Sequence, residues 1–126
     1  MSDIWKERPE KHDYPAALDY LTLVLEEGMA RKIVAGLQKA PTLRRKAKDL
    51  LRASRLALLP RDNPHVAADL KKIKRGKPLS PVLLLRGDAK MDVPLQVADG
   101  YHRICASWHI DENAPVPCCI VDRPVR

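Results

Sequence analysis

Apolar residues recur at helical spacing through the first 54 residues of the chain. A first helix is predicted to begin at Asp13, because Pro15 suits the first turn of a helix. A second helix is predicted to end before Pro41, since the residue that precedes a proline disfavours helical dihedral angles. Thr42 is a suitable N-cap for a third helix. The apolar stripes of the three helices are Leu18, Leu21 and Leu25; Met29, Ile33, Val34 and Leu37; and Leu43, Ala47, Leu50 and Leu51.

The pattern changes after residue 55, where short apolar runs typical of strands appear. These runs occupy residues 56–59, 81–85, 95–98 and 116–121. Between the first two runs, Asn63 predicts a helix start and Gly76 predicts the end of that helix. A last helix is predicted from Tyr101 to His109. Helices followed by strands that alternate with helices predict an α+β fold.

The composition indicates a folded protein of one domain. The chain has 126 residues, of which 45% are hydrophobic, enough to bury a core. We interpret residues 1–126 as a single domain with a helical N-terminal part at 1–54 and a core at 55–121. No apolar run approaches the roughly 18 residues of a membrane span, and the three cysteines make a poor disulfide framework. We therefore expect a cytoplasmic protein without a membrane partner.

Positive charge is concentrated in the middle of the chain. The net charge is +7, and 15 of the 23 Lys and Arg residues but only 3 of the 16 Asp and Glu residues lie between Arg31 and Lys77. Such asymmetry favours an anionic partner, with nucleic acid as one candidate. The alternative is a solvated helix face. The basic face of the predicted third helix consists of Arg44, Arg45, Lys48, Arg52 and Arg55.

The chemistry of greatest interest lies in the stretch "QVADGYHRICA", where a predicted strand runs into a predicted helix. The first N–H groups of a helix have no partners within it, so this corner favours an anion. Gly100 lacks a Cβ, His102 lies in the first turn, and Arg103 offers a fork that matches phosphate oxygens. In the alternative interpretation, Asp99 caps the helix or pairs with Arg103, Gly100 is a turn residue and Arg103 forms a surface ion pair. Asp99 is also the nearest candidate to help hold a divalent ion bound to phosphates.

The segment from Arg55 to Val121 resembles the ParB/sulfiredoxin-like superfamily. The resemblance is carried by the order of elements through "SRLALLPRDNPHVAADLKKIKRGKPLSPVLLL", "LQVADGYHRICASW" and "VPCCIV", and by the Gly-x-x-Arg box from Gly100 to Arg103. In this match the run at 56–59 is an N-terminal strand that ends near a proline and is followed by a short helix. It implies a compact mixed sheet with helices and a site for nucleotide phosphates. CTP is bound by the bacterial ParB partition proteins, ATP by sulfiredoxins and ADP by a free-serine kinase. The site residues it implies are Asp99, Gly100, Tyr101, His102 and Arg103, and the cofactors are ATP, ADP or CTP with Mg²⁺.

The departures from these relatives leave the activity open. Tyr101 stands where sulfiredoxins have their reactive cysteine, which argues against reductase chemistry. The box of the serine kinase, "DGHHR", differs at one position, and Glu26 or Glu27 would be the candidates for its catalytic glutamate. We therefore predict a nucleotide-binding domain, with slow nucleotidase or kinase activity left open. The alternative is a non-enzymatic nucleic-acid-associated module. No metal-ligand spacing of Cys or His occurs, so no protein metal site is predicted.

Overall fold

The computed structural model describes residues 5–124, which form five helices and a four-stranded mixed sheet. In chain order the elements are α1 (Asp13–Leu21), α2 (Glu27–Lys39), β1 (Leu43–Lys46), α3 (Ala47–Ser54), α4 (Pro64–Lys74), β2 (Val82–Leu85), β3 (Gln96–Asp99), α5 (Tyr101–Ile110) and β4 (Pro115–Val121). The strand order is β1-β4-β2-β3. β4 is antiparallel to β1 and parallel to β2, and β3 is antiparallel to β2. The predicted α+β class is confirmed.

The sheet is covered by helices on both faces. Val82 and Leu84 belong to a core cluster that contains residues of α3, α4 and α5, whereas Leu83 and Leu85 belong to a second cluster under α1 and α2. Successive side chains of a strand point to opposite faces, so both faces of β2 are buried. This explains why β2 is a continuous apolar run rather than an alternating one.

The helix boundaries that depend on local signals lie where the sequence predicts them. The side chain of Asn63 caps α4 by accepting hydrogen bonds from the N–H groups of His65 at 3.0 Å and Val66 at 3.2 Å. Gly76 follows α4 with a φ of +72°, in the left-handed region that glycine tolerates. Helix α2 ends at Lys39, before Pro41, as predicted.

The predicted third helix is wrong in its first turn. Residues 43–46 form strand β1, and helix α3 begins only at Ala47. Leu43 pairs with Cys118 and is 38% exposed, so it does not belong to the buried stripe. Local spacing cannot reveal this pairing, because the partner strand β4 lies near the other end of the chain. The N-terminal part of the chain is therefore not wholly helical.

The predicted strand at residues 56–59 is absent from the described structure, where this run is a loop. Side chains of α5 hydrogen-bond to its carbonyl groups in place of a strand ladder. The hydroxyl of Tyr101 donates to the carbonyl of Ala57, and a ring nitrogen of His109 lies 2.7 Å from the carbonyl of Leu59. The run thus covers α5 without joining the sheet.

Among residues 5–124, no helix combines the length and the apolar character that a bilayer span requires.

Candidate functional site

Gly100 joins β3 to α5 in a backbone conformation that residues with a side chain rarely adopt. Its φ is +116°, outside the range that L side chains readily adopt. A Cβ at this position would lie 2.7 Å from the Cβ of Val82 and closer still to its Cγ1. The missing side chain therefore makes room for β2 to pack against the start of α5. Gly100 is a turn residue, and the packing against Val82 adds a requirement that the sequence does not reveal.

Arg103 is largely buried beside this turn. Its Nη2 donates to Oδ2 of Asp99 at 3.0 Å and approaches the carbonyl oxygen of Pro81 at 3.4 Å. The side chain of Arg103 is only 16% exposed, so the predicted surface position is wrong. The predicted alternative, an ion pair between Asp99 and Arg103, is present. Asp99 does not cap α5, because the N-cap residue of that helix is Gly100.

One atom of Arg103 has no hydrogen-bond partner among the described residues. Its Nε–H group is buried, yet no acceptor lies within hydrogen-bond distance. Leaving a buried donor unpaired costs roughly 1–3 kcal/mol, and such groups are rare in proteins. The guanidinium therefore carries one buried donor that is unsatisfied among the described residues.

A cavity of about 260 Å³ opens beside Arg103. It lies between the segment that precedes α1, the exposed side of α4 and the corner between β3 and α5. Its chemically active lining residues are Glu10, His12, Asp13, His65, Asp69, Lys72, Ser80, Asp99, Gly100, His102 and Arg103. Four of the five residues of the predicted site line this cavity. The fifth, Tyr101, does not. The ring of Tyr101 still lies 5.6 Å from that of His102, but its hydroxyl holds the loop at Ala57.

Two of the carboxyl groups that line the cavity, those of Asp13 and Asp99, are neighbours. Asp13 is 2% exposed, and its Oδ2 accepts hydrogen bonds from the N–H of Glu10 at 3.0 Å and from the hydroxyl of Ser80. Burial raises the pKa of Asp99, the adjacent Asp13 carboxyl raises it further, and Arg103 opposes both effects. The sequence indicated Asp13 only as a helix start, and its proximity to Asp99 depends on long-range packing.

Two histidines and an aspartate also line the cavity. The rings of His65 and His102 are tilted by 40° with their centroids 4.7 Å apart. Burial lowers the pKa of His102, and His65 and Arg103 lower it further, against the opposing effect of Asp69. Burial raises the pKa of Asp69, although Lys72 and Arg103 oppose the change. Burial is thus the largest cause of both shifts, and it favours the uncharged form of each group.

The five basic residues that the sequence predicts on one face of a helix do not lie on a common helical face. Arg44 and Arg45 lie on β1, Lys48 and Arg52 lie on α3, and Arg55 follows α3 in a left-handed conformation. Arg52 pairs with Asp49 at 3.3 Å, and Arg55 pairs with Asp92. None of the five lines the cavity. The prediction of a common face is wrong because it rested on a helix that starts four residues too early.

The two glutamates suggested as catalytic candidates lie elsewhere. Glu26 caps α2 by accepting hydrogen bonds from the N–H groups of Gly28 and Met29, and Glu27 pairs with Arg31 at 2.9 Å. Neither of them lines the cavity. The glutamate that does line it is Glu10. Glu10 forms an ion pair with Lys6, which lowers its pKa. No sequence signal distinguished Glu10 from other surface glutamates.

These residues define an α+β protein with a charged cavity at a strand-to-helix corner. No protein-family model, curated protein or solved structure matches the chain. The resemblance of residues 55–121 to the ParB/sulfiredoxin-like superfamily therefore stays a prediction from the sequence. Within the part of the chain that the structure describes, no cluster of three or more His, Cys, Asp or Glu side chains could hold a metal ion.

Proposed function

We propose that the cavity binds the phosphate groups of a nucleotide at the start of α5. The observation that carries this proposal is the buried Nε–H of Arg103, which has no partner among the described residues. A phosphate oxygen is a strong acceptor for this donor, and a charge-assisted hydrogen bond is stronger than a neutral one. Asp99 already engages Nη2, so the guanidinium is held in place before a ligand arrives.

The backbone at the same corner supports an anion. Helix α5 has ten residues, and the first N–H that closes a helical hydrogen bond is that of Ile104, which donates to Gly100 at 3.1 Å. The N–H groups of the three preceding residues therefore lack acceptors within the helix. Together with the helix dipole, these donors favour negative charge.

The charges that line the cavity determine how much additional positive charge a bound phosphate needs. Four carboxyl groups line it, but Lys72 and Arg103 are its only permanently charged cations among the described residues. A dianionic phosphate needs further positive charge, which protons on the histidines or a magnesium ion carried by the nucleotide would supply.

The size of the cavity favours the phosphate end of a nucleotide. Its volume of about 260 Å³ lies below the roughly 300–1,000 Å³ of pockets that enclose a drug-sized ligand. We therefore expect the phosphates to occupy the cavity and the base to lie outside it. ATP, ADP and CTP are the candidates implied by the family resemblance.

A thermal-shift panel of ATP, ADP, CTP and inorganic phosphate, each with and without Mg²⁺, tests this proposal. We expect at least one nucleotide to raise the Tm, because a ligand that binds only the folded state stabilises it by mass action. Arg103→Ala, compared with its own ligand-free Tm, should lose the shift. Stabilisation by none of these ligands at millimolar concentration would remove nucleotide binding as the function.

Sulfate affinity is expected to increase as the pH falls. Protonation of His102 adds positive charge, and protonation of Asp69 or Asp99 removes negative charge, so all three groups act in the same direction. The pKa of His102 is lowered, so its contribution appears below the usual histidine range, and the raised pKa values of the two carboxyls extend the effect to mildly acidic pH. Calorimetry with sulfate, which keeps its double negative charge there, measures the protein's titration alone. A flat profile in wild type, or one unchanged in His102→Gln, would contradict this account.

Nucleic-acid binding by the basic segment is the second candidate function. It is favoured by strand β1, all of whose residues are exposed and which carries three consecutive cations, Arg44, Arg45 and Lys46. Such binding should weaken steeply with salt and depend little on base sequence. Fluorescence anisotropy at low salt, with duplex and single-stranded probes, measures it. We expect the triple Gln variant at these positions to bind less, while Lys72→Gln, which removes one charge in the cavity and none on β1, should bind as wild type does. The absence of binding to either probe would end this candidate.

A further inference from the structure

Ser80 is the only serine, threonine or tyrosine among the described residues that line the cavity. It directly precedes Pro81 and strand β2, and it is 7% exposed. Its Oγ accepts a hydrogen bond from the N–H of Glu10 at 3.1 Å and donates to Oδ2 of Asp13. The hydroxyl is therefore oriented by two partners, of which one is a carboxyl group.

We propose that Ser80 is a phosphoryl acceptor that takes the terminal phosphoryl group of a nucleoside triphosphate bound in the cavity. This inference rests on the proposed function, because it requires phosphates beside Arg103. A hydroxyl hydrogen-bonded to a carboxylate has the arrangement that general-base catalysis requires, with the base in reach of the proton it removes. Asp13 is that base.

Arg103, the proposed ligand of the phosphate, lies close to the chain segment that carries the proposed acceptor Ser80. Its Nη2 lies 3.4 Å from the carbonyl oxygen of Pro81, the residue that follows Ser80 in the chain. Ser80 and Arg103 line the same cavity, so a phosphate held by this guanidinium would share that cavity with the Ser80 hydroxyl. Phosphoryl transfer depends mainly on such positioning and on stabilising charge.

A bond forms between Oγ of Ser80 and the terminal phosphorus, and the bond from that phosphorus to its bridging oxygen breaks. The bridging oxygen keeps the electron pair and leaves as part of the nucleoside diphosphate. The proton of the hydroxyl passes to the carboxylate of Asp13, from which it returns to solvent. The products are phosphoserine at position 80 and the diphosphate.

A Ser80–Asp13 hydrogen bond that only holds the start of α1 beside the residues before β2 would have the same geometry, so the test must detect the product itself. Full-length protein is incubated with Mg²⁺ and either ATP or CTP, and intact mass and peptide mapping are measured. We expect the mass of one phosphoryl group on the peptide that contains Ser80. Ser80→Ala should abolish the label, and Asp13→Asn should slow labelling about a hundredfold, in the usual range for loss of a general base.

The controls separate this inference from the proposed function. Ser54→Ala removes another buried serine, whose hydroxyl donates to the carbonyl of Leu51 outside the cavity, and should label like wild type. Ser80→Thr, which keeps the hydroxyl, should retain labelling and reports on the site if Asp13→Asn fails to fold. Nucleotide binding by calorimetry without any phosphoserine, or with phosphate on another residue, overturns the inference and leaves nucleotide binding intact. The absence of both binding and label overturns the two together.

Discussion

Gly100→Ala is expected to destabilise the protein by about 3 kcal/mol or more. Two effects add at this position. A residue with a side chain at φ +116° is strained, which costs on the order of 1–3 kcal/mol, and its Cβ would collide with Val82 on strand β2. The neighbour cannot move away easily, because Val82 is fully buried within the sheet. Urea or thermal unfolding of the variant measures the loss.

Gly76→Ala is the matched control for this prediction. Gly76 also has a positive φ, +72°, but nothing lies within 4 Å of the position that its Cβ would occupy. The variant should therefore lose only about 1 kcal/mol, the ordinary cost of a left-handed conformation for alanine. Equal losses in the two variants would mean that the contact between β2 and the start of α5 is not as tight as the structure has it.

Arg103→Ala is expected to lower both stability and nucleotide affinity. Removing the guanidinium leaves the largely buried carboxyl of Asp99 without its ion-pair partner, which should destabilise the protein by about 2 kcal/mol. It also removes the donor proposed for the phosphate, so affinity should fall roughly tenfold to hundredfold, the equivalent of about 1.5–3 kcal/mol. Unfolding curves and calorimetry report the two effects separately.

The double variant Arg103→Ala/Asp99→Ala separates these roles. It removes the unpaired carboxyl and should recover part of the lost stability, since neither partner is then left buried alone. It does not restore the phosphate donor, so nucleotide affinity should stay low. If Arg103→Ala binds the nucleotide as wild type does, Arg103 serves only as the structural partner of Asp99.

Local signals were sufficient for much of the fold. Asn63 and Gly76 delimit α4 through their own side-chain and backbone chemistry, and the continuous apolar run of β2 follows from burial on both faces. Strand β1 could not be predicted because its conformation depends on pairing with β4, whereas the sequence of residues 43–51 also fits a helical stripe. The loop at 56–59 likewise has the composition of a strand but no strand beside it.

The candidate site likewise has one part that the sequence predicts and another that depends on packing. The glycine, histidine and arginine of the corner lie within four consecutive residues, so the sequence alone placed them together. Asp13 and Ser80 reach the same cavity from distant parts of the chain, through the packing of α1 and the start of β2. The burial of Arg103 and its pairing with Asp99 also depend on this packing, which no spacing rule contains.

The central claim, that a phosphate binds at the start of α5 through the unpaired donor of Arg103, is tested most directly by NMR. Titration of ¹⁵N-labelled protein with ATP, in the presence of Mg²⁺, follows the Nε–H signal of Arg103 together with the backbone N–H signals of Tyr101 and His102. We expect these signals to shift together and to saturate with one binding constant, while the N–H signal of Gly76 stays in place. Saturable shifts confined to other parts of the protein, or no shift at the corner at millimolar nucleotide, would contradict the account.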